Sequence, residues 1–170
     1  PPSRSRTALP GRTVTVEPMG SVLVTYATRT QAARDVAAAL ADCFSRAGHR
    51  VRLSDLATED PAVTGVDLVV VGSGIRATTW YPEALAWLSA RASSLAQCPV
   101  AVFNTCLNAA EPDKRDEALG YNRAATATVT AVAEESFPGR YVREQVGWVS
   151  RLFLRVLRKP EQDHVDLSRA

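Results

Sequence analysis

The chain has 170 residues, 46% hydrophobic and 22% charged, which suits one domain with a full apolar core and excludes a disordered chain. A formal net charge of +2 is too mild to indicate nucleic-acid binding, and no apolar run is long enough to span a membrane. The three cysteines, Cys43, Cys98 and Cys106, are odd in number and lack metal-ligand spacing, so no disulfide framework and no metal site are expected, and a reducing, cytoplasmic setting is.

Residues 1–18 carry Arg4, Arg6 and Arg12 against the single acid Glu17, with four prolines and no apolar stretch of the secretory kind. They read as a disordered leader, and residues 19–170 as a single folded domain. "SVLVTY" (21–26) is an apolar run that reads as a buried strand. Residues 30–48 have the spacing of a helix, with Ala33, Val36, Ala37, Leu40 and Phe44 on one stripe and Gly48 at its carboxyl end. "HRVRLSDL" alternates and reads as a strand near the sheet edge, and "VDLVVVGSG" (66–74) as a strand buried on both faces. Pro82 and Glu83 open a long helix over residues 81–96. "CPVAVFNTC" is a fourth strand, "DKRDEALGYNRAATA" a charged helix, and "TVTAVAEESF" a fifth strand. A basic amphipathic helix is expected over residues 145–159.

Strands alternating with helices predict an α/β fold with a parallel sheet covered on both faces. Five strands at this length fit the flavodoxin-like order 2-1-3-4-5. Ligands of such sheets bind beyond the carboxyl ends of the strands, at the switch point between strands one and three. Three loops therefore matter, those after Tyr26, Gly72 and Asn104.

The first loop holds Ala27, Thr28, Arg29, Thr30, Gln31 and Ala32 ahead of the helix. A helix N-terminus with free N–H groups suits a phosphate, and the threonine hydroxyls and Arg29 would add donors and charge. The alternative is that Thr28 or Thr30 merely caps the helix. In the second loop, Gly72, Gly74 and Ala77 match a dinucleotide-binding pattern by spacing alone. The match follows the third strand, and no acid stands where a ribose would need one, so that reading fails. Ser73, Gly74, Ile75 and Arg76 instead suit a stretch where a planar ring approaches the backbone. Trp80 and Tyr81 then offer it aromatic surface, the alternative for Trp80 being a helix-start residue packed against its neighbours. The third loop brings Asn104, Thr105, Cys106, Leu107 and Asn108 to a strand end. Cys106 has no histidine near it in sequence to activate a thiolate nucleophile.

Together the segments "VLVTYATRTQAARDVA", "VVVGSGIRATTWYPEAL" and "AVFNTCLNAAEPDKR", with "SFPGRY" before a basic apolar stretch, resemble the menaquinone-dependent protoporphyrinogen oxidase family. The Ile75–Arg76 pair and the run Pro112, Asp113, Lys114, Arg115 are its most specific elements. The resemblance implies a flavodoxin-like domain binding flavin mononucleotide (FMN), the first loop holding the phosphate and the other two the ring. It implies oxidation of protoporphyrinogen IX in haem synthesis, with electrons passed to a quinone. Arg76, Arg140 and Arg143 are then candidates for the porphyrin carboxylates. The family usually has glycine at the position of Gln31 and threonine at that of Ala33, so the phosphate loop is expected to be weakened here, and Gln31 must avoid positive φ or accept strain.

Between residues 140 and 159 six cations face one acid, Glu144, and Arg151, Arg155 and Arg158 share a helical stripe opposite an apolar face. That face either covers the sheet or, over residues 146–159, touches the inner membrane surface, where a quinone acceptor resides. Two other functions remain open. One is an electron carrier with a protein partner, although such carriers are strongly acidic and this chain is not. The other is a degenerate binding module without cofactor, for which Gln31 and Ala33 speak.

Overall fold

The structure, a computed structural model, describes residues 20–138. The expected helix at 145–159, the membrane-facing stretch 146–159, Arg140, Arg143 and the leader lie outside those residues.

β1 (Ser21–Ala27) is buried along almost its whole length because neighbours flank it on both edges and helices cover both faces. α1 (Ala32–Arg46) follows, and its stripe of Ala33, Val36, Ala37, Leu40 and Phe44 packs on one face of the sheet. β2 (Arg50–Asp55) pairs with β1 and forms one edge, where Arg50, Arg52 and Leu53 stay exposed. β3 (Leu68–Arg76) lies on the other side of β1, and a two-residue strand β4 (Thr79–Trp80) folds back antiparallel on its end. β5 (Val100–Cys106) and β6 (Ala131–Pro138) complete the parallel order β2-β1-β3-β5-β6. The expected five-strand order is present; the sixth strand, β4, bonds only to β3.

The two faces divide by strand alternation. Val22, Val24, Tyr26, Leu68 and Val70 meet α1. Leu23, Val69, Val71, Val100 and Val102 meet the helices of the opposite layer. The long helix expected there is two, α2 (Pro82–Ala90) and α3 (Ala92–Leu95). Arg91 breaks it at φ −116°, ψ 12°, where its Nε donates to the Pro61 carbonyl at 3.0 Å and its guanidinium lies over Trp87. The charged helix is likewise divided, into α4 (Arg115–Gly120) and α5 (Arg123–Thr126), with Asn122 at the break. In both cases a side-chain hydrogen bond across the fold outweighs helical propensity. Among the described residues no helix is long and apolar enough to cross a membrane.

Candidate functional site

β1 and β3 are neighbours, but their following connections leave to opposite sides of the sheet, so a cleft opens at their carboxyl ends. Its first wall is the turn from β1 into α1. Gln31 is the helix N-cap and takes φ 68°, ψ −13°. A side chain enters that left-handed region at a cost of about 1–2 kcal/mol, so the chain accepts the strain. Gln31 Oε1 accepts from Arg34 Nη1 at 3.0 Å. Neither threonine caps α1, which has no side-chain cap. The first intrahelical bond runs from the Asp35 N–H to the Gln31 carbonyl at 2.9 Å, and the three amides before it have no acceptor within the helix. Thr28 Oγ1 is buried and has no hydrogen-bond partner among the described residues. Ala33 belongs wholly to the core under α1.

Arg29 turns across the cleft wall. Its guanidinium carbon lies 4.6 Å from the centre of the Tyr81 ring, and its Nη1 pairs with Glu83 in the first turn of α2. The bond from Arg29 holds the Glu83 carboxyl below its ordinary range and raises the guanidinium in turn.

The second wall differs from the expected loop. β3 continues past Gly72 to Arg76 and reverses through Ala77 and Thr78, at φ 49° and 66°, into β4. Two successive left-handed residues make the tight hairpin whose twist matches that of the strands. At Gly74 a ring does approach the backbone, and it is the protein's own: a Cβ there would lie 2.6 Å from Tyr81 Cε2. Ser73 Oγ donates to the Gly74 carbonyl at 2.7 Å and accepts from the Tyr81 N–H at 3.0 Å, which fixes that ring's backbone. Trp80 is only 1% exposed, and its Nε1 donates to Asn122 Oδ1 at 3.3 Å. Of the two readings of Trp80, the structure takes the packed one, so Trp80 offers no ring face to the cleft.

β5 supplies the third wall through Thr105 and Cys106, continued by a 3-10 turn over Leu107–Ala110. Leu107 is 80% exposed at the rim. Asn108 Nδ2 donates to the Tyr121 hydroxyl at 3.1 Å and to Glu117 Oε1 at 3.2 Å. Tyr121 donates to the same carboxylate oxygen at 2.7 Å, which pushes its phenol up from the ordinary value.

The cleft between these walls measures about 490 Å³. Of the residues singled out in the sequence, Thr30, Ala32, Gly74, Ile75, Tyr81 and the stretch Thr105 to Asn108 line it. Ala27, Thr28, Arg29 and Gln31 belong to the first-loop segment but are not part of its lining. Ser73, Trp80 and Asn104 are buried behind the wall, and Arg76 is exposed at the hairpin beyond it. Asn104 was expected to present a polar group to a ligand, yet its amide is consumed inside the protein by Ala118, Asn122 and Ser136. Tyr121 lines the cleft and has no sequence signal of its own, because the helix break that places it depends on the buried Asn122. Chemically the lining suits a planar, largely apolar group with polar edges, and the open helix N-terminus beside it suits an anion.

A family model described as the flavodoxin domain matches residues 23–168. No curated protein matches the sequence. Among solved structures, rubredoxin oxygen:oxidoreductase from the anaerobe Desulfovibrio gigas is similar with a TM-score of 0.65 at 15% identity, over 84% of this chain and 38% of that one. Oxidised flavodoxin 1 from Bacillus cereus is similar with a TM-score of 0.62 at 14% identity, over 82% of this chain and 99% of that one. The flavodiiron protein from Giardia intestinalis gives 0.56 at 16% identity, over 81% of this chain and 36% of that one. The chain thus spans little more than a third of the two larger proteins and nearly the full length of the flavodoxin, and at these identities the likeness is one of fold.

Proposed function

The chain belongs to the flavodoxin-domain family, and from that premise we propose that the cleft holds FMN and that the protein is an FMN-dependent oxidoreductase. The observation that carries this reading is Thr28 Oγ1, a buried hydroxyl with no partner among the described residues, in the turn that leads into the uncapped N-terminus of α1. An unsatisfied buried hydroxyl costs about 1–3 kcal/mol, and a phosphate oxygen would satisfy it. Thr28, Thr30 and the free amides of α1 would hold the phosphate, while Gly74, Ile75, Tyr81 and Thr105–Leu107 would enclose the ring. Bound there, the flavin supplies the electron or hydride transfer. The chain's own residues bind it, orient it and keep one side of it from water.

For the substrate we propose protoporphyrinogen IX, with a quinone as acceptor, on the resemblance carried by Ile75–Arg76 and residues 112–115. Arg76 supports it as an exposed guanidinium that makes no ion pair among the described residues, beside a rim with the exposed Leu107. Cation and apolar rim suit a flat macrocycle bearing carboxylates. Arg140, Arg143 and a peripheral membrane contact through residues 146–159 are part of the same proposal. A second reading, an electron-transfer protein with a protein partner, is supported by the match over nearly the full length of a flavodoxin.

Titration with FMN and, separately, with riboflavin tests the cofactor. Saturable quenching of flavin fluorescence is expected, with riboflavin bound at least tenfold more weakly for want of the phosphate. No saturation at high micromolar protein would leave the cofactor-free binding module instead. An anaerobic assay with protoporphyrinogen and a menaquinone analogue then decides the substrate. A bound flavin that porphyrinogen does not reduce points to the carrier.

A further inference from the structure

Behind the third wall of the cleft, four buried side chains form a hydrogen-bonded chain that ends on the half-buried Cys106 of the wall itself, and its direction is fixed by its members' chemistry. It starts at Trp80, whose indole N–H can only donate, here to Asn122 Oδ1 at 3.3 Å. That leaves Asn122 Nδ2 as the donor to the Glu135 carbonyl at 3.2 Å, an acceptor only. With Asn122 so oriented, Asn104 must turn its Nδ2 toward Asn122 Oδ1, at 2.9 Å, and toward the Ala118 carbonyl, at 2.8 Å. Asn104 Oδ1 is therefore an acceptor, and the hydroxyl donating to it at 2.7 Å is that of Ser136. A serine has one hydrogen. Ser136 Oγ can then only accept from Cys106, whose sulfur lies 3.7 Å away.

We propose that Trp80, Asn122, Asn104 and Ser136 act as a positioning relay for the cleft, turning the Cys106 thiol hydrogen inward so that the wall presents no hydrogen-bond donor at that point. Cys106 is itself a lining residue, and its partner Ser136 is buried in β6, so the relay links the packing of three strands and the α4–α5 break to the polarity of one spot on the wall. A ligand group facing Cys106 is then accepted if it is apolar or a donor, and disfavoured if it is an acceptor carrying negative charge. On the FMN reading, from which only this last consequence follows, the wall discriminates against the anionic reduced ring relative to the neutral oxidised one.

The thiol orientation is read without any ligand. In a Cys43→Ala, Cys98→Ala background, Cys106 is the only thiol, and its S–H stretch in the infrared reports whether it donates. A band at the hydrogen-bonded frequency is expected, moving to the free-thiol frequency in Ser136→Ala and remaining hydrogen-bonded in Ser136→Thr, which keeps the hydroxyl. A free-thiol band in the parent, or no shift in Ser136→Ala, overturns the relay. With FMN, Ser136→Ala should lower the ratio of reduced to oxidised dissociation constants severalfold, because the released S–H can then donate to the ring. An unchanged ratio in a protein that binds FMN overturns the discrimination at the wall. Absence of FMN binding would count against the cofactor reading alone, with the infrared band still deciding the relay.

Discussion

Gly72 on β3 and Phe103 on β5 stand opposite each other in register, and the phenylalanine ring fills the space that a side chain at Gly72 would need. A Cβ on Gly72 would lie 2.0 Å from Phe103 Cζ, far inside contact distance. The ring thereby reaches Phe137 of β6, edge to face with centroids 5.8 Å apart, and ties three strands together beneath the cleft.

Gly72→Ala should accordingly destabilise the protein by about 2–3 kcal/mol through overpacking. The midpoint of urea unfolding measures it. A change within about 0.5 kcal/mol, the range usual for innocuous surface positions, would mean that the ring moves aside freely.

Thr28→Val separates binding from folding. The substitution removes a buried hydroxyl that has no partner among the described residues, so the stability of the unliganded protein should hold or rise. FMN affinity should fall about tenfold or more, the worth of one hydrogen bond to a charged group. Parallel loss of both, or of neither, would count against a phosphate at this hydroxyl.

Gln31→Gly relieves a left-handed backbone and should stabilise the protein by about 1 kcal/mol. It also releases Arg34 from the Gln31 side chain. Thermal unfolding reports the first effect and FMN titration the second, with tighter FMN binding expected. A lower melting temperature would show that the Gln31–Arg34 contact outweighs the strain.

The pair of Arg29 and Glu83 makes stability depend on acidity. Glu83 has a lowered pKa in the folded protein, chiefly through the bond from Arg29. Its contribution is therefore complete above the ordinary glutamate range, about pH 4, and is lost as the pH falls through the lower folded value. Wild type should exceed Glu83→Gln in urea midpoint at neutral pH, and the gap should close in acid. A gap that stays constant with pH would place the effect of the substitution outside the ion pair.

The apolar runs of β1, β3 and β5 and the helical stripe of α1 were readable directly, because strands covered on both faces must be apolar throughout and a helix on a sheet must be apolar on one side. From their alternation the sheet order and the location of the cleft followed, since right-handed crossovers leave few arrangements. Local pattern did not show that β3 runs on into a hairpin, because Ala77 and Thr78 are not residues that favour the left-handed turn they make. Nor could it divide Trp80 from Tyr81: adjacent aromatic residues in an extended stretch face opposite ways, and only the missing side chain at Gly74 and the bond to Asn122 decide which of these two buried rings reaches the cleft. The amide of Asn104 looked available for a ligand until α4, α5 and β6 closed around it. The sequence by itself thus determined the architecture and the three segments that meet at the switch point, since those depend on hydrophobic periodicity along the chain. Tertiary structure alone decided which side chains face the cleft, because that rests on hydrogen bonds and close packing between residues 18 to 54 positions apart, such as Asn104 with Asn122 and Arg29 with Glu83.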